Sequence, residues 1–205
     1  MKTLLVIDVQ NDFIPGGSLS VPNGDKIVPV INSIQDSFDL IVATQDWHPK
    51  EHSSFAVNHE GKSVFDRIEW RGNMQTLWPE HCVQGTVGAE LHPELDTTKY
   101  EAIFRKGTDK AIDSYSAFYD NNHLKATGLT GYLKEKGATQ LYFCGLASDI
   151  CVYFSICDAV KEGFDCYFIE DAAKPLDVEA FEAIKTKMLA MGVQIITSEN
   201  FIALK

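Results

Sequence analysis

Positive charge is scarce in this chain: 18 lysines and arginines stand against 29 aspartates and glutamates in 205 residues, for a net charge of -11. That balance offers no electrostatic footprint for nucleic acid or for an anionic membrane surface, so neither is expected as a partner. Cysteine is sparse too. The five present are an odd number with no C-x-x-C pair, which argues against a disulfide framework and for reduced thiols in a reducing, cytoplasmic compartment. Long apolar runs are missing: Thr3 to Ile7 is cut short by Asp8, too brief for the core of a signal peptide, and no later stretch approaches a membrane span. Repeats, low-complexity tracts and linkers are missing as well, so a single domain over residues 1–205 is expected. What is present, 45% apolar and 11% aromatic residues, excludes disorder and suffices for one sizeable core. Small-molecule chemistry is the class of function that remains.

Short β-branched or aromatic runs recur at Thr3 to Ile7, Leu40 to Thr44, Ala102 to Arg105, Leu141 to Cys144, Cys166 to Ile169 and Val193 to Thr197, and these predict strands. Helical patterns lie between several of them: Lys26 to Phe38, Leu129 to Lys136, Asp149 to Glu162 and Val178 to Met191. The last three run into Gly137, Gly163 and Gly192, which act as C-terminal stops. Strands alternating with helices imply right-handed crossovers and a doubly wound α/β fold, a mostly parallel sheet with helices on both faces. The aperiodic, turn-rich stretch from His52 to Pro93 reads as a long functional excursion over one edge of that sheet.

The most informative segment is Gly145-Leu146-Ala147-Ser148-Asp149-Ile150-Cys151, which follows a strand pattern and opens a helix. Unpaired amides and the positive dipole end at a helix start favour thiolate over thiol, so Cys151 is the candidate nucleophile. The other four cysteines, Cys82, Cys144, Cys157 and Cys166, sit in apolar surroundings and read as packing residues. Ligands of open parallel sheets bind at the carboxyl ends of strands. Asp8, Asp46, His48, Lys106 and Cys151 all fall just after strand patterns, and parallel topology gathers them on one rim. A strand-ending Asp is commonly a cap and a strand-ending Lys is usually solvated; their coincidence on one edge points to chemistry. Asp8 would exchange a proton with Cys151, and Lys106 would hold Asp8 and stabilise developing negative charge. The backbone amides of Ala147 and Cys151 would form an oxyanion hole.

A second constellation is Asp46-Trp47-His48 with the later Trp78-Pro79-Glu80-His81. Residues two apart in an extended chain project to one side, so Asp46 and His48 can share an ion while Trp47 turns away, with His81 as third ligand. Two imidazoles and one carboxylate suit zinc, iron or manganese. His52 is a further neighbour and Cys82 a competing ligand, and a loop histidine is more often an ordinary surface residue.

Five motifs together resemble the nicotinamidase group of the isochorismatase-like cysteine hydrolases along essentially the whole chain: Val6-Ile7-Asp8-Val9-Gln10-Asn11-Asp12-Phe13, Asp46-Trp47-His48-Pro49, Trp78-Pro79-Glu80-His81-Cys82-Val83, Phe104-Arg105-Lys106-Gly107 and Gly145 to Val152. The resemblance implies a Rossmann-like isochorismatase fold and an Asp8, Lys106, Cys151 triad. Asp46, His48 and His81 would be ligands to one divalent ion, most readily Zn2+, with Fe2+ or Mn2+ as alternatives. It also implies a cis peptide between Leu146 and Ala147 and a substrate pocket built by Phe13, Leu19, Trp78 and Tyr115. Nicotinamide would be the small-molecule substrate, converted to nicotinate and ammonia through a Cys thioester in NAD salvage, with pyrazinamide also accepted; a homo-oligomer is compatible with all of this. The rivals are an amidase of the same fold acting on another amide or a ureido compound, a vinyl-ether hydrolase, a non-haem iron oxygenase and a binding protein without turnover. The metal set speaks against the vinyl-ether group, the strand and helix alternation against the usual all-β oxygenase scaffold, and an intact triad against mere binding.

Overall fold

The structure is a computed structural model that describes residues 1–203. Its strands are β1 (Lys2–Ile7), β2 (Leu40–Asp46), β3 (Arg67–Trp70), β4 (Asn73–Thr76), β5 (Ala102–Lys106), β6 (Gln140–Leu146), β7 (Asp165–Lys174) and β8 (Gln194–Ile196). Its α-helices are α1 (Ile27–Ile34), α2 (Leu129–Glu135), α3 (Cys151–Lys161), α4 (Val178–Ala190) and α5 (Ser198–Ala203). Six strands form one sheet in the order β5-β2-β1-β6-β7-β8, with every pairing parallel. The chain winds outward from β1 in one direction and then, from β6, in the other. That reversal places a crevice at the carboxyl ends of β1 and β6, where doubly wound sheets bind ligands.

Alternation along the strands divides the interior into two layers. Leu4 and Val6 of β1 join Ile27, Ile31 and Ile34 of α1 and Phe201 of α5 on one face. Leu5 and Ile7 join Leu129 and Leu133 of α2, Val152 and Ile156 of α3, and Phe181 and Met188 of α4 on the other. Both faces are thus covered, as the apolar character of the central strands requires.

Differences from the sequence reading have local causes. The helix expected over Lys26 to Phe38 is α1 flanked by 3-10 turns at Gly24–Lys26 and Gln35–Ser37; Pro29 has no N–H to donate and is tolerated because it lies within the first turn. α3 begins at Cys151 rather than Asp149, because the Asp149 carboxylate accepts the Leu176 and Asp177 amides at 2.8 Å each and holds its own residue in the preceding turn. β7 runs ten residues, well past Ile169, because a register shift at Gly145 lets it pair again through Ala173 and Lys174. The β3–β4 hairpin lies inside the stretch read as aperiodic. Its turn residues Arg71 and Gly72 both take positive φ, 49° and 83°, the geometry of a tight two-residue hairpin turn, here without the Asn-Gly or Asp-Gly signal. The excursion folds back over the carboxyl rim, where Gln10 bridges Leu91, His48 bridges Val83 and Phe55 bridges Trp78.

Candidate active site

Asp46 and Lys106 are the final residues of β2 and β5 and lie side by side in register. Asp8 follows β1 directly and adopts φ 48°, a left-handed conformation that aspartate tolerates better than most residues. Cys151 opens α3 beyond the turn that leaves β6. That turn holds the cis peptide Leu146–Ala147. Gly145, at φ +114°, lets the strand end close on β1, since a Cβ there would stand 2.0 Å from the Ile7 carbonyl oxygen.

Lys106 is the centre of the cluster. Its ammonium lies 2.5 Å from Asp46 Oδ1 and 2.8 Å from Asp8 Oδ2, donates to the Ser114 carbonyl at 2.9 Å and reaches Cys151 Sγ at 3.5 Å. Burial opposes its charge, yet the Asp46 and Asp8 carboxylates together hold it protonated well above the usual lysine range. Asp8 accepts the Thr44 hydroxyl proton through Oδ1 at 2.6 Å. Its Oδ2 is ion-paired with Lys106, though without an aligned hydrogen bond. Burial raises the Asp8 pKa despite the Lys106 ammonium beside it, bringing this carboxyl nearer the range where it can both take and return a proton. The helix start that favours thiolate is opposed here by burial. Burial pushes the Cys151 thiol well above its ordinary value although Lys106 pulls it down, with Asp8 and Asp46 adding to the rise. A thiol held up in this way must lose its proton as it attacks. The Ser148 and Ile150 amides bond to the carbonyls of Lys174 and Ala147, and that of Val152 to Ala147. The amides of Ala147, Asp149 and Cys151 are left as the turn's candidates for receiving an oxyanion.

The second constellation converges as well. His48 Nε2 lies 3.7 Å and His81 Nε2 4.0 Å from Asp46 Oδ2, and these three atoms are close enough together to hold one metal ion. Each imidazole is oriented from behind: His48 Nδ1 bonds the Gly107 carbonyl at 2.9 Å and His81 Nδ1 the Pro79 carbonyl at 2.8 Å. A carbonyl partner requires Nδ1–H, which leaves the Nε2 lone pairs aimed at the Asp46 carboxylate; this is the arrangement of metal-binding histidines. The donor set therefore fits a divalent cation. Gly107 makes the fit possible, because at φ +63° its missing Cβ would stand 2.3 Å from His48 Cε1. Trp47 turns outward under the Arg105 guanidinium, 3.7 Å from the ring centroid. Cys82 does not compete as a ligand: its amide bonds Asp12 at 2.7 Å and its thiol is directed to the Gly88 carbonyl. His52 is buried 4.3 Å from the His48 ring centroid, with Nδ1 on the Ser54 hydroxyl and Nε2 without a partner. Burial and the neighbouring His48 lower its pKa to about 4.

Phe13, Leu19, Trp78 and Tyr115 all line one cavity with Ala147, Cys151, Asp46 and His81, enclosing about 380 Å³ of empty space including its mouth. Val21, Asp113, Ile150 and Leu176 complete the wall. Several positioning residues escaped the sequence reading. Gln10 clamps Asp46 by both backbone groups, donating to its carbonyl and accepting its amide at 2.8 Å each. Asp12, through the Cys82 amide, anchors the residue after His81. Both lie in the segment that starts at Asp8, and the signal available was their polar character directly after a buried strand.

The fold and this site define a doubly wound α/β protein with a thiol, carboxylate and ammonium set at its switch point. Residues 2–200 match the isochorismatase domain family, and the chain belongs to it. It is 50% identical over 200 residues to the nicotinamidase of Acinetobacter baylyi, covering 97% of this chain and 94% of the relative. Among solved structures it resembles the Acinetobacter baumanii nicotinamidase and pyrazinamidase at TM-score 0.94 and 48% identity, covering 97% of both chains. The pyrazinamidase of Pyrococcus horikoshii in complex with zinc superposes at TM-score 0.79 and 36% identity, covering 96% of this chain and 98% of that one.

Proposed function

We propose that this protein hydrolyses nicotinamide to nicotinate and ammonia, and accepts pyrazinamide, as a cysteine amidohydrolase of NAD salvage in the cytoplasm. The observation that carries the reading is the meeting of two constellations in one aromatic-walled cavity, which Cys151 lines together with the Asp46 and His81 donors. A flat pyridine carboxamide has a polar atom at each of the matching places.

Cys151 Sγ attacks the carboxamide carbon while the Asp8 carboxylate, within 4.8 Å of it, takes the thiol proton. Lys106 keeps its own proton and offsets the charge that passes from sulfur to oxygen. The amides of Ala147 and Cys151 receive the oxyanion, each donor contributing roughly 3–4 kcal/mol at the transition state. Asp8 hands its proton to the departing nitrogen, ammonia leaves, and the same carboxylate then draws a proton from water as it attacks the thioester, releasing nicotinate and restoring the thiol. Such proton handling is worth about 100- to 10,000-fold in rate. A divalent ion held by Asp46, His48 and His81, most readily zinc, would supply a Lewis-acidic point of attachment for the ring nitrogen. Phe13, Trp78 and Tyr115 hold the ring plane and exclude water.

Ammonia release from nicotinamide, measured before and after chelation and metal restoration, tests the reading. Turnover should fall with chelation, return with the metal, and vanish in Cys151→Ala while that variant still binds nicotinate. No turnover with any restored metal would transfer the triad to another amide, and full activity of Cys151→Ala would remove the thiol from the mechanism.

A further inference from the structure

Beyond Tyr115 lies a second, larger cleft, with about 1160 Å³ of empty space against about 380 Å³ in the reaction cavity, both measured with their open mouths. The two hollows share two wall residues, Asp113 and Tyr115. Tyr115 is a poorly tethered partition. Its backbone is fixed, the amide bonding Asn121 Oδ1 at 2.9 Å, but its hydroxyl receives only two long contacts, 3.3 Å from Trp78 Nε1 and 3.4 Å from Gln75 Nε2. On the cleft side its ring leans on Phe154, centroids 5.3 Å apart, and Phe154 is itself 42% exposed. Rotation of the Tyr115 side chain would break these two weak bonds and its edge contact with the Trp78 ring, centroids 6.2 Å apart, and would withdraw a side chain that lines both spaces.

The cleft is chemically specific. The β3–β4 hairpin and the loop before α2 bring Asn73, Asn121 and Asn122 to it, Asn121 accepting the Tyr115 amide and Asn73 donating to Asn122, and the outward face of α3 brings Tyr153 and Cys157. Its charges are of both signs, Arg71 and Lys161 with Asp113, Asp120 and Asp158, so an uncharged group suits it better than an anion. A neutral group that gives and accepts hydrogen bonds fits it best.

We propose that this cleft is an outer subsite for a hydroxyl- or amide-bearing substituent at ring position 5 of a pyridine-3-carboxamide, with Tyr115 as the movable wall that admits it. The proposal rests on the nicotinamide reading. A ring anchored through its nitrogen and its 3-carboxamide turns position 2 inward, and position 5, diametrically opposite, outward. Substrates of this class would be cleaved by the same thiol chemistry.

The test compares kcat/KM for nicotinamide and 5-(2-hydroxyethyl)nicotinamide in the wild type, in Tyr115→Ala, and in Tyr115→Ala combined with Cys157→Trp or, separately, Met74→Trp, both of which fill the cleft. Opening the wall should raise the ratio of substituted to unsubstituted substrate at least about tenfold, following the worth of a few hydrogen bonds and a relieved clash. Either filling substitution should erase that gain. Dissociation constants of the matching 5-substituted nicotinic acid, from calorimetry, should change in the same order. An unchanged ratio in Tyr115→Ala, or a gain that survives both filling variants, overturns the subsite alone when the wild type turns nicotinamide over. A wild type that releases no ammonia from nicotinamide overturns the functional reading and the subsite with it.

Discussion

Replacing Gly107 by alanine tests how the metal-type site is shaped. The new Cβ would stand 2.3 Å from His48 Cε1 and 2.5 Å from His48 Nδ1, where ordinary contact begins at 3.4 Å, so the imidazole must retreat by about 1 Å or the backbone must yield. Neither is free. A residue with a Cβ at φ +63° costs about 1–2 kcal/mol in the left-handed region, which in a chain of this length lowers Tm by about 2–8 °C. Moving the ring also disturbs the 2.9 Å bond from His48 Nδ1 to the Gly107 carbonyl, and loss of such an orienting partner typically weakens metal affinity by about 10- to 100-fold. The assay is a chelator-competition titration of the metal-free protein with Zn2+ and with Mn2+, beside thermal unfolding of the same samples. Activity should be lost at limiting metal and regained in part at excess metal. A folded Gly107→Ala protein that binds metal with wild-type affinity would refute the reasoning, since His48 would then not be a ligand held in place by that carbonyl.

Three further outcomes are expected. Asp8→Asn should keep the fold, since an amide still accepts from the Thr44 hydroxyl, but should lower kcat by at least about 100-fold; turnover within a few-fold of wild type would remove Asp8 from proton transfer. Gln10→Leu strands the buried amide and carbonyl of Asp46 at about 1–3 kcal/mol each, so both Tm and metal affinity should drop together, and a loss confined to kcat would contradict the clamp. The pH dependence follows from His52 and His81, whose pKa values are lowered to about 4 by burial and by the adjacent His48. Below the ordinary histidine pKa of about 6.5 the unfolded chain takes up protons that folded His52 and His81 refuse until near pH 4, so these two make stability of the metal-free protein fall as pH drops through that window. His48, whose pKa Asp46 holds above the ordinary value against burial, contributes stability that is lost as pH rises. Thermal unfolding of metal-free wild type and His52→Gln between pH 7.5 and 4.5 checks this, and an equal slope in both would exclude His52 as a source.

The rim residues were legible because they sit where parallel topology must gather side chains. Asp8, Asp46, Lys106 and Cys151 each follow a run whose strand character is plain, and pairing of four parallel strands brings them together whatever the loops do. His81 was legible only as a histidine in a Trp-Pro-Glu-His segment, since its approach to Asp46 depends on how the excursion refolds. What escaped depends on contacts that no periodicity records. The hairpin turn at Arg71 and Gly72 uses an arginine at positive φ; the Gln10 clamp is a match between one side chain and the backbone of a residue 36 positions away. The ionisation of Cys151 was misjudged for a related reason. Helix position is a local property, whereas burial beside Asp8 and Asp46 is created by three other strands, and it dominates.

Those strands also show why the triad and the metal-type ligands behave as one electrostatic unit. Lys106 is a single buried positive charge shared by Asp8 and Asp46, and Asp46 is at once its partner and the carboxylate faced by His48 and His81. Two buried carboxylates against one ammonium leave an excess negative charge, which raises the pKa of His48 beside Asp46 against burial and which low-dielectric surroundings make costly. A cation at the Asp46 end neutralises it. With Asp46 committed there, Lys106 is drawn more fully toward Asp8 and Cys151, the side on which negative charge develops during attack. A ring-binding role for the ion and an electrostatic role for it are therefore separable in experiment. Alkylation of Cys151 by iodoacetamide needs no pyridine ring, so it should be faster in the metal-loaded than in the metal-free protein, and equal rates in the two forms would confine the ion to substrate binding.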